Sequence, residues 1–578
     1  MTRFLLGVVL VVGIAAGIFH ATRGLVLTPP AQPSVASQPV ANIPFFVDAT
    51  AESKIDFRHF DSSTAAHATW ETLGSGMAWI DFDQDELPDL FCIQDGPLKG
   101  GEGPSNKLFR NNGDGTFSDV TREVGLDRSG FGLGCAVGDI DNDGFPDLVV
   151  TYFRGVVLYR NVPDGKGGRK FVDASANSGL IDPQCATSCA FGDIDGDGLL
   201  DLYVCNYVKF DPEKYVPCYN KVFKENFVCG PTMFESVHHK LFRNLGNGRF
   251  EDVSETSGIT NTPAAGGLGV VMADLDEDGL LDIYVANDMA PAYLFHNQGK
   301  GKFVEKAMPT GCALMGQGRY IAGMGVEAAD FDGSGRLSLF VSNFHREPNM
   351  LFLNRGKLFF DEVSYRSGLG APSVPRLAFG VVACDFDLDG RLDLAVANGH
   401  VIRNSDKILG DPFRQESQVF QGMGEGKYQD VSSKSGEYFS QKEVGRGLAW
   451  ADWNNDGLPD LAFSNNAGLL ALLKNATKTN SSWIRLTLEG DGKKSNRDAI
   501  GAKIVVEAGG QKQTRWLVGG GSYLSASDRR LVIGLGPAKS ADRITVRWPS
   551  GRENVYQNLG GNCGYRLREG EPKELITK

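Results

Sequence analysis

Seven copies of one acidic loop, D-x-D-x-D-G-x-x-D, hold the side chains best placed to do chemistry; they begin at Asp81, Asp139, Asp193, Asp274, Asp330, Asp385 and Asp452. Carboxylates two residues apart converge on one point where the chain turns sharply, and a cage of oxygens selects a hard cation, here Ca²⁺. Positions 1, 3 and 5 supply ligands, glycine at position 6 permits the turn, and a carbonyl at position 7 is the expected remaining ligand, as in the first half of an EF-hand. The Glu at position 12 of that motif is missing, and an Asp at position 9 takes its place. Four copies are complete: Asp139, Asp141, Asp143 and Asp147; Asp193, Asp195, Asp197 and Asp201; Asp274, Asp276, Asp278 and Asp282; Asp385, Asp387, Asp389 and Asp393. The first copy has Asp81, Asp83, Asp85 and Asp89 but Glu86 in place of glycine, which predicts a strained turn. The seventh has Asp452, Asn454, Asp456 and Asp460, with one neutral ligand. The fifth keeps Asp330 and Asp332 but has Ser334 and Ser338, and is read as weak or blank. A lone Asp-Gly pair would be explained as a hairpin turn; complete copies in register are not. The expected role of the ion is structural, because unbound loops crowd like charges together and ion binding is then coupled to folding.

The loops must be held by something that repeats with them, about every 55 to 80 residues. Each loop leads into an apolar strand, then into a phrase such as Leu108-Phe109-Arg110-Asn111 or Leu241-Phe242-Arg243-Asn244, a glycine turn, and a phrase such as Phe117-Ser118-Asp119-Val120. Short strands rich in Val, Ile, Leu and Phe, joined by glycine turns and repeated seven times, predict an all-β chain with a seven-bladed β-propeller. The phrase Phe46-Val47-Asp48 precedes the first loop, and nothing like it follows the last, so the N-terminal phrase is expected to complete the seventh blade and close the ring. Beyond the propeller, Trp483–Leu488, Ala502–Val506 and Arg543–Trp548 alternate with period two, and Gly509-Gly510 reads as a hairpin turn, which predicts a small β-sandwich or barrel. The expected organisation is a signal-anchor or signal peptide over 1–23, a Pro/Ser-rich linker over 24–43, the propeller over 44–478 and the second β domain over 479–570. Phe4 to Thr22 is uncharged and mostly apolar, near the length of a membrane span, so the chain is read as exported: anchored at the cell surface or in the periplasm, or secreted if the signal is cleaved.

The net charge of −13 argues against non-specific nucleic-acid binding, and seven bound dications would nearly cancel it. Of ten cysteines, the strand residues Cys135, Cys189 and Cys384 read as small core residues, and a Cys218–Cys229 bridge is expected in the one long insertion. No nucleophile elbow, zinc-protease helix or phosphate loop is present. His59, His67 and His400 are candidates for the central channel but read first as structural; His238-His239, in the insertion next to the fourth blade, could bind a metal but reads first as an exposed pair without a role. Trp70, Trp79, Trp450 and Trp453 are read as packing at the seam between blades one and seven rather than as a ligand platform.

The repeats resemble the FG-GAP/VCBS repeats of integrin-α-like propellers. Ala499-Ile500-Gly501-Ala502-Lys503, Gly519-Gly520-Gly521-Ser522-Tyr523-Leu524-Ser525, Gly534-Leu535-Gly536 and Val546-Arg547-Trp548-Pro549-Ser550-Gly551 resemble an ASPIC/UnbV domain. Together the two parts resemble the bacterial branch of the cartilage acidic protein family. The resemblance implies an exported Ca²⁺-binding propeller with extracellular or cell-surface roles, and no single enzymatic activity. The expected function is a ligand-binding or adhesion module for an extracellular glycan or protein. Two alternatives stand beside it: a polysaccharide-acting enzyme with a site in the propeller channel, and a structural protein of the envelope. The reading leans away from an enzyme, and membrane contact is expected through the N-terminal segment if it is uncleaved.

Overall fold

The computed structural model describes residues 42–98 and 103–577; the N-terminal apolar stretch read as a signal or anchor lies outside them. Seven four-stranded antiparallel sheets follow one another along the chain, and their innermost strands are neighbours in a closed ring. The innermost strands are Met77–Ile80, Gly132–Gly138, Ala186–Gly192, Gly267–Ala273, Gly323–Ala329, Ala378–Cys384 and Gly445–Ala451. The seventh sheet takes its outer strand from the N-terminus: Phe46–Asp48 pairs antiparallel with Ala471–Asn475, with Phe46 opposite Asn475. The ring is thus closed by backbone hydrogen bonds between distant parts of the chain, and no sheet edge is left at the seam.

A side chain that the repeat phrase hides makes the joints between blades. The Asn of Leu-Phe-Arg-Asn reaches the preceding blade and donates to a backbone carbonyl there. Asn111 reaches Trp453 at 2.8 Å, Asn161 reaches Phe82 at 2.8 Å, Asn244 reaches Ile140 at 2.8 Å, and Asn297 reaches Ile194 at 3.0 Å. Asn354 and Asn475 do the same to Leu275 and Phe386, at 2.7 and 3.0 Å. Blade six has Gly422 at the equivalent place, and there the Tyr428 hydroxyl, 3.4 Å from the Phe331 carbonyl, makes the joint. Each carbonyl belongs to position 2 of an acidic loop, so the clasp ties one blade's acidic loop to its neighbour's third strand, or in blade six to the fourth.

The C-terminal part is a sandwich of two four-stranded sheets, not a closed barrel. One sheet contains Ser482–Glu489 paired with Leu531–Gly536 and Cys563–Arg568; the other contains Lys503–Ala508, Gln511–Trp516, Ser540–Arg547 and Glu553–Gly560. Ile484, Leu486, Ile504, Val506, Ile544, Val546 and Trp548 fill the space between them, as the period-two alternation predicts. Gly509 and Gly510 both have positive φ and form the expected turn.

Between Trp516 and Leu531 the sandwich sends a loop into the propeller. Gly519–Gly520 pairs with the innermost strand of blade four, and Ala526 bridges to Ala78 of blade one. The Ser522 hydroxyl donates to the Leu448 carbonyl of blade seven at 2.7 Å, and Val381 of blade six donates to that hydroxyl at 3.2 Å. Val326 of blade five donates to the Ser522 carbonyl at 3.1 Å, Cys135 of blade two to the Leu524 carbonyl at 3.2 Å, and Leu524 to the Ser188 hydroxyl of blade three at 2.9 Å. All seven innermost strands therefore touch one segment. Tyr523 and Leu524 at its tip are completely buried. A β-carbon on Gly76 would meet the Leu524 carbonyl at 1.7 Å, and one on Gly519 would meet the Phe191 carbonyl at 1.9 Å. The channel is narrow enough for backbone to pack on backbone, and the chain fills it with its own residues.

Candidate metal centres

The acidic loops lie on the face of the ring that the sandwich covers, and each of the seven meets it. Arg566 pairs with Glu86, and Arg530 donates to the Glu86 and Asp452 carbonyls at 2.9 and 3.0 Å. Asp139 donates its N–H to Asp498, and Gly198 packs on the Lys493 backbone. Lys503 reaches Glu277 at 2.6 Å and the Gly335 carbonyl at 3.4 Å, Gly536 donates to the Leu388 carbonyl, and Arg485 pairs with Asp452 at 2.8 Å.

Within a loop, the first Asp is fixed by backbone donors. In the second loop Asp139 accepts from the N–H groups of Asp143 and Gly144 at 3.0 and 2.8 Å; Asp385 accepts likewise from Asp389 and Gly390 at 2.9 and 2.8 Å. The Asp at position 9 is held from the third strand: Asp147 accepts from Asn161, Asp201 from Asn244, Asp460 from Asn475. In the fifth loop Ser338 plays this structural part, accepting from Asn354 at 2.9 Å, although it removes a charge from the cage. Glu86 has φ +68°, the strain expected where glycine is missing. Position 4 is left-handed too, at Gln84, Asn142, Gly196, Glu277, Gly333, Leu388 and Asn455. Its residue types vary so widely that the spacing carried no sign of it.

Five loops bring three metal-ligating side chains together: Asp81, Asp83 and Asp85; Asp139, Asp141 and Asp147; Asp193, Asp195 and Asp197; Asp276, Asp278 and His296; Asp385, Asp387 and Asp393. Several carboxylate oxygens in the loops are buried without a hydrogen-bond partner, among them Asp83 Oδ1, Asp141 Oδ1, Asp147 Oδ2, Asp195 Oδ1, Asp274 Oδ1 and Asp460 Oδ2. Buried polar atoms are rarely left unpaired, and oxygens with unspent lone pairs beside other carboxylates fit a hard cation. Burial pushes the acids up, Asp385 to about 7, Asp139 to about 6 and Asp282 to about 8. Carboxylates held in this way favour a partner that replaces their lost solvation.

Models of two protein families match the chain. The FG-GAP-like repeat matches residues 81–150, 139–204, 234–285 and 274–341, and "ASPIC and UnbV" matches residues 492–574. The chain carries FG-GAP-like repeats followed by a C-terminal ASPIC/UnbV domain. Cartilage acidic protein 1 of Xenopus tropicalis is 26% identical over 455 residues, covering 74% of this chain and 62% of that protein. The Homo sapiens protein of the same name is 25% identical over 445 residues, covering 74% and 61%. The chain thus spans about three fifths of the length of these relatives. An Agrocybe aegerita lectin that recognises non-reducing terminal N-acetylglucosamine is similar in shape over 70% of this chain and 94% of its own, at 14% identity and a TM-score of 0.36.

The FG-GAP loops have a further neighbour that spacing alone did not show. The residue before the clasp Asn lies over the carboxylates at positions 3 and 5: Arg110 is 2.7 Å from Asp83, Arg243 is 2.7 Å from Asp195, and Arg160 pairs with Asp141; in blade five that place is Leu353, and Arg355, just after the clasp Asn354, is 3.1 Å from Asp332. Lys474 is 3.8 Å from Asp456, and the neutral Gln421 donates to Asp387 at 2.7 Å. The sixth loop therefore has the most buried acids, with Asp385, Asp387 and Asp393 each 1% exposed, and no cation from its third strand.

Beneath the ASPIC/UnbV domain a cavity of about 280 Å³ surrounds the base of the plug, bordered by Trp79, Trp450, Glu327, Arg515 and Arg529. Glu327 accepts from the Ser522 N–H at 3.2 Å, and burial pushes its carboxyl up to about 8. The folded pKa lies above the unfolded value of about 4.3. Stability from this proton is therefore complete below about pH 4.3 and is lost as pH rises through 8. Glu327→Gln, which cannot ionise, should raise the melting temperature relative to the parent protein above pH 8 and much less at pH 5. Parallel melting curves that keep a constant offset across that range would refute the assignment.

At the opposite mouth, the channel candidates are structural. His59 is 1% exposed; its Nδ1 accepts from the Ala467 N–H at 3.2 Å, which leaves Nε2–H facing the Ser75 hydroxyl at 2.9 Å. Ser75 gives its own proton to the Gly132 carbonyl, so it is not activated as a nucleophile. Burial lowers the His59 pKa to about 4. His400 is fully buried, and His67 packs under the insertion, its carbonyl 3.3 Å from the Tyr215 hydroxyl. His239 corrects the expectation of an exposed pair: it is 4% exposed, and its Nδ1 accepts from the Asn206 N–H at 3.1 Å. The tryptophans also divide. Trp79 and Trp453 pack with Phe117 at the seam of blades one and seven, but Trp450 turns toward blade six, and Trp70 meets Phe153, Phe210 and Tyr215 under the insertion. All four are 9% exposed or less, so none forms a ligand platform on the outer surface. Cys218 and Cys229 are disulfide-bonded, and the eight other cysteines are buried and free.

Proposed function

We propose that the protein is an exported, calcium-stabilised propeller that binds a glycan or protein ligand at the cell surface through the face opposite the ASPIC/UnbV domain. The observation that carries this reading is the filled channel. Tyr523 and Leu524 occupy its middle, and the sandwich covers the acidic-loop face. The space left around the plug is the cavity of about 280 Å³ beneath the sandwich, on the covered face. The remaining broad surface is crossed by the disulfide-bonded insertion, tied down by Asn226 donating to the Ala65 carbonyl and by Thr69 donating to the Cys229 carbonyl. The insertion presents Val216, Tyr219 and Val222 at 79, 54 and 82% exposure, more apolar side chain than one strand pair needs for its own folding. Export rests on the apolar N-terminal stretch and the resemblance to cartilage acidic protein; no helix among the described residues is long and apolar enough to cross a membrane.

The test uses the full chain in detergent against a glycan array and a panel of purified envelope proteins, with Ca²⁺ and with chelator. Saturable retention that is lost in chelator is expected. Replacing Val216, Tyr219 and Val222 by serine should abolish retention while the melting temperature stays within about 1 °C, as surface changes do. A flat response under both conditions would overturn the reading.

A further inference from the structure

We propose that the fourth acidic loop is a mixed oxygen and nitrogen site that takes a first-row transition dication of the Zn²⁺ class in preference to Ca²⁺. The proposal rests on the metal-loop reading and adds a selectivity that the repeat does not imply. The decisive residue is His296. It stands where other blades place Arg110, Arg160, Arg243, Gln421 and Lys474 over positions 3 and 5, and where blade five has Leu353. Arginine and lysine have no lone pair to offer a metal at neutral pH, whereas imidazole has one and suits borderline metals. Asp276, Asp278 and His296 each place one ligand atom within 4.8 Å of the others. His296 Nε2 is 3.0 Å from Asp276 Oδ2.

A second observation points to the same place from the other side. Asp274 is 5% exposed, and its Oδ1 is buried without a hydrogen-bond partner. Its Oδ2 accepts from the Gly279 N–H at 3.0 Å and from Arg547 of the ASPIC/UnbV domain at 2.9 Å. With one oxygen clamped by two donors, the carboxylate cannot turn to satisfy the other, which is left as a ligand. The imidazole is oriented as well: Nδ1 lies 2.8 Å from the Gln298 side-chain amide. The atom placed there is the amide Nε2; a half-turn of the amide, which exchanges its N and O, lets Nδ1–H donate to the oxygen and frees the imidazole Nε2 lone pair for the metal, the usual outer-shell arrangement for a ligating histidine.

The experiment compares the full chain with His296→Arg, which installs the residue of three sibling blades. Both proteins are stripped with chelator, reloaded with excess Ca²⁺, and titrated calorimetrically with Zn²⁺. One Zn²⁺ equivalent is expected to bind the parent protein at least tenfold more tightly than it binds H296R, with Ca²⁺ stoichiometry at the other loops unchanged. Co²⁺ in place of Zn²⁺ should give visible d–d bands in the parent protein that shift in H296R. Equal Zn²⁺ affinity in the two proteins would overturn this proposal alone, and would leave His296 as an ion-pair partner of Asp276. Failure of the parent protein to bind either cation would overturn the metal-loop reading with it. Equal melting temperatures in Ca²⁺ show that H296R is folded; if it is not, His296→Gln carries the comparison.

Discussion

Leu524→Ala is expected to destabilise the whole molecule by about 3 kcal/mol, the cost of removing a fully buried leucine from a site that cannot collapse. The side chain is 0% exposed and packs at the channel centre with Leu133, Leu268, Met324 and Phe379, from four different blades. None of those blades can move inward without breaking the ring, so the cavity stays open. The more telling result is the form of the transition. The plug hydrogen-bonds to the innermost strands, and the ASPIC/UnbV domain meets all seven loops, so propeller and sandwich should melt together. Calorimetry should show one transition that moves to lower temperature in the variant. Two separable transitions, with only the sandwich affected, would show that the plug is dispensable to the ring. Arg446 makes the same point from the far mouth. It is completely buried, donates to the Thr72, Gly399 and Gly445 carbonyls at 2.7, 3.1 and 2.8 Å, and stacks 4.0 Å over Phe379, itself 4.9 Å from Tyr523.

Removal of divalent cations should have an effect of equal or greater size. A single site kept at a hundredfold excess over its dissociation constant contributes about 2.7 kcal/mol to the folded state. A few such sites sum to roughly 5–15 kcal/mol, the entire stability of a typical domain. Chelation should therefore lower the melting temperature by on the order of 10 °C or more, and excess Ca²⁺ should restore it. The sixth loop should carry a disproportionate share, since Asp385, Asp387 and Asp393 are buried together and Gln421 provides no compensating charge. Asp387→Asn should reproduce much of the chelator effect, whereas Asp332→Asn in the fifth loop should do little, because Arg355 already lies 3.1 Å from that carboxylate and Ser338 removes one ligand. Melting temperatures that agree within about 1 °C in chelator and in excess Ca²⁺ would defeat the assignment of these loops to metal.

Most of the blade was legible because it rests on local chemistry repeated seven times. Asp spacing, the position 6 glycine and the apolar runs are set within about fifteen residues of one another, and the N-terminal phrase announced the closure at Phe46 by matching a missing strand. The conserved-looking Asn of Leu-Phe-Arg-Asn was visible, but its role was not, since its partner carbonyl lies 79 to 342 residues away in the chain. His296 does not stand out in the sequence, because its place over Asp276 depends on pairing register between the second and third strands of its blade.

The sequence by itself determined the number of blades, the acidic loops, the N-terminal closing strand and the alternation of the C-terminal sandwich, all of which follow from short-range periodicity. Only the tertiary structure decided where the glycine-rich segment 519–526 goes and which face of the ring remains open. Its glycines read equally well as turns. A close backbone approach, such as Gly76 against the Leu524 carbonyl, leaves no mark on either partner's local sequence beyond the absence of a side chain. The channel is a cavity made by seven separate strands, and the residues that fill it come from a domain that folds on its own periodic pattern; no window along the chain contains both.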